Sequence, residues 1–280
     1  MNVIKLRSLL EQFYIEDIGD GDLSSMYLFP ETAIGEMDLV AKMNGLFCGK
    51  QIIEECLRVV DDSASVRCHL EDGAKVQKGT IIATVTGRVQ SLLKCERVLL
   101  NIIQRMSGIA TETNEVVQRV IGTNTKICDT RKTMPGLRML DKYAVRVGGG
   151  FNHRYGLFDA VMLKDNHLAF AGSITHAVKT VRESLGHTVK IEVEIETVGQ
   201  LVEAVEASAD IIMFDNCTPE EIKEWRKLVP DSIITEASGM ITKETIFEYA
   251  EAGVDYISLG YLTHSVNAFD ISANVTVNAN

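Results

Sequence analysis

Between Lys126 and Asp165 the chain holds eight cations: Lys126, Arg131, Lys132, Arg138, Lys142, Arg146, Arg154 and Lys164. Four carboxylates stand against them, Asp129, Asp141, Asp159 and Asp165, so the segment has an excess of four positive charges while the whole chain carries −11. A cationic excess inside an acidic protein, set among turns and the ends of apolar runs, points to a pocket for a small polyanion. Nucleic acid more often calls for a basic face or a basic domain. Lys126 and Lys142 read as solvated surface charges. Arg131, Lys132, His153, Arg154 and Lys164 do not, because they follow or end apolar runs.

The elements that must position these residues alternate from about residue 126 onward. Strand-like runs lie at Lys126–Asp129, Ala160–Leu163, Val189–Glu194, Ile211–Phe214, Ile233–Glu236 and Tyr256–Leu259. Helical patterns fall between them, at Gly136–Val147, Ser173–Leu185, Val198–Ala207, Pro219–Leu228 and Thr242–Ala252. Such alternation implies a parallel sheet. Polar residues follow every strand, whereas an open doubly wound sheet gathers them at one switch point, so a ring of strands facing a common mouth fits better. In the run IEVEIE, strand period puts Ile191, Val193 and Ile195 on one face and Glu192, Glu194 and Glu196 on the other. With helices outside, the glutamates point inward. Residues 126–264 are few for a full barrel of ~250 residues, so the barrel is expected to be incomplete.

Residues 24 to about 108 have another grammar, short strand-like runs with a helix-like stretch at Lys50–Val59. Glu71–Gly87 reads as hairpin-rich, with turns at Asp72–Gly73 and Lys78–Gly79. These turns resemble those of lipoyl and biotinyl carrier domains, but Lys75 and Lys78 lack the flanks of a modified lysine. Gly148–Gly150 lacks GxGxxG spacing and reads as a flexible entry to a strand carrying His153 and Arg154.

Composition sets the remaining bounds. The apolar content of 46% with only 4 Pro indicates a chain folded throughout. Leu6, Leu9, Leu10 and Phe13 give the N-terminus helical spacing without the apolar core of a signal peptide. No apolar run approaches the ~20 residues that span a bilayer. Six scattered cysteines without a CxxC pair suggest reduced thiols in a cytoplasmic protein.

A mouth with Arg131, Lys132, Arg154 and Lys164 opposite Glu194 and Asp215 has two electrostatic sides. Guanidinium groups grip carboxylates or phosphates in bidentate fashion, and lysine acts as a point charge on phosphate. Carboxylates near bound phosphates suit Mg²⁺. This describes a site for a magnesium-bound phosphorylated sugar beside a carboxylated partner. A Schiff-base aldolase with Lys164 as nucleophile is the rival from another class, disfavoured because nearby carboxylates keep the amine charged. A non-catalytic anion binder would not need the carboxylates.

The segments TRKTMPGLRMLDKYAV, GGGFNHRYGLFDAVMLKDNH, IEVEIE, DIIMFDN, EASG and GVDYISLGYLTHS resemble, in this order, the quinolinate phosphoribosyltransferase family, the carboxylating nicotinate-nucleotide pyrophosphorylases. EDIGDGDLSS and CERVLLNIIQRMSGIAT resemble its first domain. A sister group linked to molybdate uptake shares TRK–PG and HR but lacks the KDNH found here at Lys164–His167. The resemblance implies an α/β fold: an N-terminal α/β sandwich over residues 1–108, with the tail 268–280 packing back on it, and an open seven-stranded α/β barrel over 109–267. It implies a homodimer and a reaction of NAD synthesis: quinolinate and 5-phosphoribosyl-1-pyrophosphate give nicotinate mononucleotide, CO₂ and pyrophosphate, with Mg²⁺.

Carried over position by position, the resemblance has Arg131, His153 and Arg154 grip the quinolinate carboxylates, with Arg97 entering from the partner subunit. Lys132 and Lys164 would bind phosphate and pyrophosphate, and Glu194 and Asp215 the ribose hydroxyls and the metal. Lys132, Lys164, Glu194 and Asp215 form the catalytic set. Ser238, Gly239 and Gly260, with His264 behind, would seat the 5-phosphate, and Thr130, Met240, Leu259 and Tyr261 complete the substrate-binding residues. Family members often have Gly where this chain has Met240, a small residue where it has Tyr261, and Thr where it has Met134.

Overall fold

The computed structural model describes residues 1–277, which form two compact units. The first contains α1 (Val3–Ile18), α2 (Leu23–Leu28), β1 (Ile34–Ala41), β2 (Gly45–Leu46), α3 (Lys50–Val60), β3 (Ser65–Cys68), β4 (Lys75–Val76), β5 (Ile81–Arg88), most of the long α4 (Val89–Arg119) and α5 (Arg138–Val147). The C-terminal strand β12 (Ile271–Val277) also belongs to it and pairs antiparallel with β1, so the sheet runs β12-β1-β5-β3. Of the tail considered above, residues 278–280 lie outside the described part. Asn2 starts α1 by accepting from the backbone N–H groups of Ile4 and Lys5. Leu6 and Leu10 of α1 then pack with Ile52 and Ile53 of α3, Leu92 and Leu99 of α4, and Met37, Leu39 and Val85 of the sheet.

Two features of this unit differ from the sequence reading. The turns at Gly73 and Gly79 are present, both with positive φ, but β4 pairs with β2 and β5 with β1 and β3, so they close no hairpin between β4 and β5. Lys142, read as solvated, is completely buried in α5 beside Leu140 and Ala144. A lysine is buried only where partners meet its charge, and sequence spacing does not reveal them.

The second unit comprises residues 115–133 and 150–264. It holds β6 (Lys126–Cys128), β7 (Val161–Leu163), α6 (Asp165–Ala171), α7 (Ile174–Ser184), β8 (Ile191–Ile195), α8 (Val198–Glu206), β9 (Ile211–Asp215), α9 (Pro219–Trp225), β10 (Ile234–Ser238), α10 (Ile246–Glu251), β11 (Tyr256–Ser258) and α11 (Tyr261–His264). Residues 134–149, assigned above to the barrel, fold with the first unit instead. Six strands form one sheet in the order β6-β11-β10-β9-β8-β7, all parallel. The seventh member is a single parallel bridge, Phe151 to Cys128, beside β6. Among the described residues no pairing joins it to β7, so the ring is open.

Local chemistry sets the strand-to-helix turns. Thr197 with Gln200 and Thr218 with Glu221 form capping boxes at the starts of α8 and α9, and Pro219 occupies the first helical turn. On the outer face Ile127, Leu163, Ile191, Val193, Ile195, Phe214 and Ile257 pack with Val178, Leu201, Ile222 and Ile246 of the helices. Period two then sends Glu192 and Glu194 of β8, Asp215 of β9, and Glu236 and Ser238 of β10 to the opposite, inner face. Glu196 lies beyond the end of β8 and is exposed. The α6 helix and the short α11 were not anticipated; each begins directly at a strand end that carries site residues.

Candidate active site

Strand ends and the first residues after them bring most of the expected side chains to one end of the inner face. Lys164 follows β7 and forms an ion pair with Glu194 on the neighbouring β8. The His167 ring accepts the Lys164 backbone N–H at 3.1 Å, turning the chain into α6. Asp215 ends β9; burial, then the adjacent Glu194 carboxylate, raise its pKa above the ordinary value. Asn216 donates to Asp215 at 2.7 Å, and its backbone N–H donates to the Ser238 carbonyl at 2.9 Å. Gly239, with φ +95°, packs so closely on Asn216 that a Cβ there would lie 2.2 Å from Oδ1. Met240 is exposed and has φ +49°, a left-handed conformation for a residue with a side chain.

A second group gathers where β11 ends. Leu259 is buried and donates to the Cys128 carbonyl at 3.0 Å. A Cβ on Gly260 would lie 2.8 Å from Lys132 Cδ and 3.3 Å from His264 Cδ2, so these three residues adjoin. Thr263 donates to the Lys132 carbonyl at 2.9 Å, and Thr130 accepts the Lys132 backbone N–H at 3.0 Å. Lys132 itself is exposed, and Tyr261 follows Gly260 as the first residue of α11.

The third group is cationic. Arg131 and Arg154 are both partly buried, and the Arg131 Nε is a buried donor without a partner among the described residues. Burial and the neighbouring Arg131 charge lower the Arg154 pKa. Arg154 also donates to the Ala160 carbonyl at 2.9 Å. Two guanidinium charges that act on each other, one with an unused buried N–H, are an arrangement that an anion would satisfy.

Glu192 and Glu236 sit deeper, inside β8 and β10 rather than at their ends. The His153 Nε2 lies 3.1 Å from Glu192 and 3.6 Å from Glu236. The His153 Nδ1 accepts the Arg154 backbone N–H at 2.7 Å. Asp129, wholly buried where β6 ends, accepts the His153 backbone N–H at 2.8 Å and the Asn152 amide at 2.7 Å. Sequence reasoning turned Glu192 inward and placed Glu236 at a strand end, but gave neither a role. The signal was the alternation in IEVEIE, which says which way a glutamate points but not what meets it. The glycine run is structural at Gly148, where a Cβ would lie 2.5 Å from the Ala110 carbonyl oxygen. Arg97 is exposed on α4, in the first unit.

Comparisons with known proteins agree with one another. Residues 22–107 match the family model described as quinolinate phosphoribosyl transferase, N-terminal domain, and residues 109–274 the corresponding C-terminal domain. A Bacillus subtilis (strain 168) protein, described as a probable carboxylating nicotinate-nucleotide pyrophosphorylase, is 53% identical over 277 residues, 99% of this chain and 96% of its own. A mitochondrial decarboxylating quinolinate phosphoribosyltransferase of Nicotiana tabacum is 38% identical, covering 96% of this chain and 82% of its own. The crystal structure of NadC from Streptococcus pyogenes superposes with a TM-score of 0.95 at 36% identity, covering 100% of this chain and 99% of that one.

Proposed function

The chain belongs to the quinolinate phosphoribosyltransferase family, and from that premise we propose how its site carries out the family's reaction. Quinolinate and 5-phosphoribosyl-1-pyrophosphate are converted to nicotinate mononucleotide, CO₂ and pyrophosphate in NAD synthesis. The observation that carries this reading is the Arg131–Arg154 pair, with its unused buried N–H, on the same unit as the Lys164–Glu194 pair and Asp215. A dicarboxylate on the cationic side and a phosphorylated ribose on the mixed side use both.

The two guanidinium groups bind the quinolinate carboxylates and aim the ring nitrogen at the anomeric carbon of the ribose. As the nitrogen–carbon bond forms, the carbon–oxygen bond to pyrophosphate breaks. Lys132 and Lys164 stabilise the charge that collects on the leaving group, and Glu194 and Asp215 favour the cationic character of the anomeric carbon. The nitrogen is then cationic. The bond from the ring to the adjacent carboxylate breaks, CO₂ leaves, the electron pair is held beside that nitrogen, and a proton takes its place. No side chain acts as nucleophile. Backbone N–H groups at Gly239 and Gly260, at both of which a Cβ would crowd its neighbours, seat the 5-phosphate.

The donor set fits a magnesium ion. Asp215, raised in pKa by burial and by Glu194, is a carboxylate pair member short of cation, and Mg²⁺ takes one or two carboxylates with substrate oxygens and water. Glu194 and Asp215 would hold it, and when bound it supplies further neutralisation of the pyrophosphate. Arg97, exposed on α4, serves the site of a partner subunit in a homodimer. Reduced cysteines and the absence of any helix long and apolar enough to cross a membrane, among the described residues, support a cytoplasmic placement.

Release of labelled CO₂ from carboxyl-labelled quinolinate, dependent on the sugar pyrophosphate, tests the assignment. No release under any magnesium concentration refutes it. Formation of a borohydride-trapped adduct on Lys164 with a carbonyl substrate would instead establish the aldolase.

A further inference from the structure

The backbone ladder beside β6 stops just before the residues it should carry into the site. The Phe151 N–H donates to the Ile127 carbonyl at 2.8 Å, and the Asp129 N–H donates to the Phe151 carbonyl at 3.1 Å, the alternation of a parallel pair. The next bond of that series would run from the His153 N–H to the Asp129 carbonyl. The Asp129 side chain takes that N–H instead, at 2.8 Å on Oδ1. Its Oδ2 accepts the Asn152 side-chain amide at 2.7 Å, and the Asn152 Oδ1 in turn accepts the Tyr155 hydroxyl at 3.3 Å. One wholly buried side chain thus continues the pairing where the main chain leaves it. What it ties together would otherwise move apart. Arg131 lies two residues after Asp129, and Arg154 directly after His153. Burial, and then the Arg131 charge, lower the Arg154 pKa, so the two guanidinium groups act on each other as like charges.

We propose that Asp129 and Asn152 are positioning residues for quinolinate: bonded to each other where the ladder ends, they hold the segment carrying His153 and Arg154 against the one carrying Arg131, and so keep two mutually repelling guanidinium groups in place before the dicarboxylate arrives. The proposal rests on Arg131 and Arg154 being the carboxylate-binding pair. Neither Asp129 nor Asn152 touches substrate in this arrangement. They act by sparing quinolinate the cost of gathering the cations, which is the gain from preorganisation. The sugar pyrophosphate, served by Lys164, Glu194 and Asp215 on other strands, does not depend on this brace.

Three variants test it. Asn152→Leu removes the tie without adding charge. Asn152→Asp sets two carboxyl groups against each other. The double variant Asp129→Asn/Asn152→Asp restores a donor and an acceptor between the same two positions at the net charge of the wild type. Calorimetry should show quinolinate binding weakened roughly tenfold in Asn152→Leu, and at least as much in Asn152→Asp. The double variant should recover to within about threefold of wild type, and affinity for the sugar pyrophosphate should stay within about twofold in all three. Hydrogen exchange of the peptide spanning residues 150–156 reads the brace directly: faster in Asn152→Leu than in wild type, and back to the wild-type rate in the double variant. Undiminished quinolinate affinity in Asn152→Leu, a double variant no better than Asn152→Asp, or equal losses of affinity for both substrates would each overturn the proposal. If Asn152→Leu does not fold, the comparison of Asn152→Asp with the double variant decides. Wild-type enzyme that neither binds nor turns over quinolinate refutes the functional reading, and the proposal with it.

Discussion

Lys164, directly after β7, and Glu194, on the adjacent parallel β8, neutralise each other at the mouth of the inner face. Each is therefore available to substrate only by exchange: an arriving pyrophosphate competes for the lysine, and releasing the lysine exposes the glutamate beside Asp215. Binding of the sugar pyrophosphate and engagement of a cation by Glu194 and Asp215 should be coupled.

Glu194→Gln and Asp215→Asn keep shape and remove charge. Both are expected to spare quinolinate affinity while lowering kcat and shifting the magnesium dependence of sugar pyrophosphate binding. Magnesium titrations at saturating quinolinate measure this. Normal turnover of both variants throughout the titration rules out the role.

Arg131→Ala and Arg154→Ala should each weaken quinolinate binding by about 1.5–3 kcal/mol, roughly ten- to a hundredfold. The sugar substrate should bind almost as before. Calorimetric titration of each ligand separates the two, and unchanged quinolinate affinity removes these arginines from the carboxylate site.

Arg97 belongs to the first unit and is exposed, which by itself suits an ordinary surface residue. If it completes a partner's site, Arg97→Ala and Lys132→Ala proteins should each be nearly inactive. Mixed with subunit exchange, they should recover roughly a quarter of wild-type activity, since half the dimers are hybrids with one intact site of two. No recovery despite demonstrated exchange would show that Arg97 does not act across an interface.

Glu236 also predicts a trend in stability with pH. Its folded-state value, about 8, lies above that of an unfolded glutamate. The native state is therefore favoured below the unfolded value, and that stability drains away as pH rises through the folded value. In this window wild type should lose up to about 1.4 kcal/mol per pH unit relative to Glu236→Gln. Urea midpoints from pH 5 to pH 9 measure the difference. A gap that does not widen with pH contradicts a retained proton.

Met240, at φ +49°, bears the cost of a side chain in the left-handed region. Met240→Gly should stabilise the protein by about 1 kcal/mol, because the 88% exposed side chain gives up almost no packing. A lower melting temperature for the variant would mean that the Met240 side chain packs in solution.

Much of this protein was legible in its sequence because the signals are local. Strand period sorted Ile191, Val193 and Ile195 from Glu192 and Glu194, and the alternation of strands and helices implied a parallel sheet, since both depend only on backbone geometry and burial. The order of motifs carried the family, and residues that end or directly follow strands, such as Asp215 and Lys164, were found because a parallel ring delivers strand ends to one mouth. Tertiary structure decided what depends on partners distant in the chain. It put residues 134–149 with the first unit, buried Lys142, and reduced the seventh strand to one bridge at Phe151. It also brought His153, Glu192 and Glu236, residues from three separate segments, within 4.8 Å of one another. A charge's environment is set by whatever lies a few ångströms away in space, and spacing along the chain does not encode that distance.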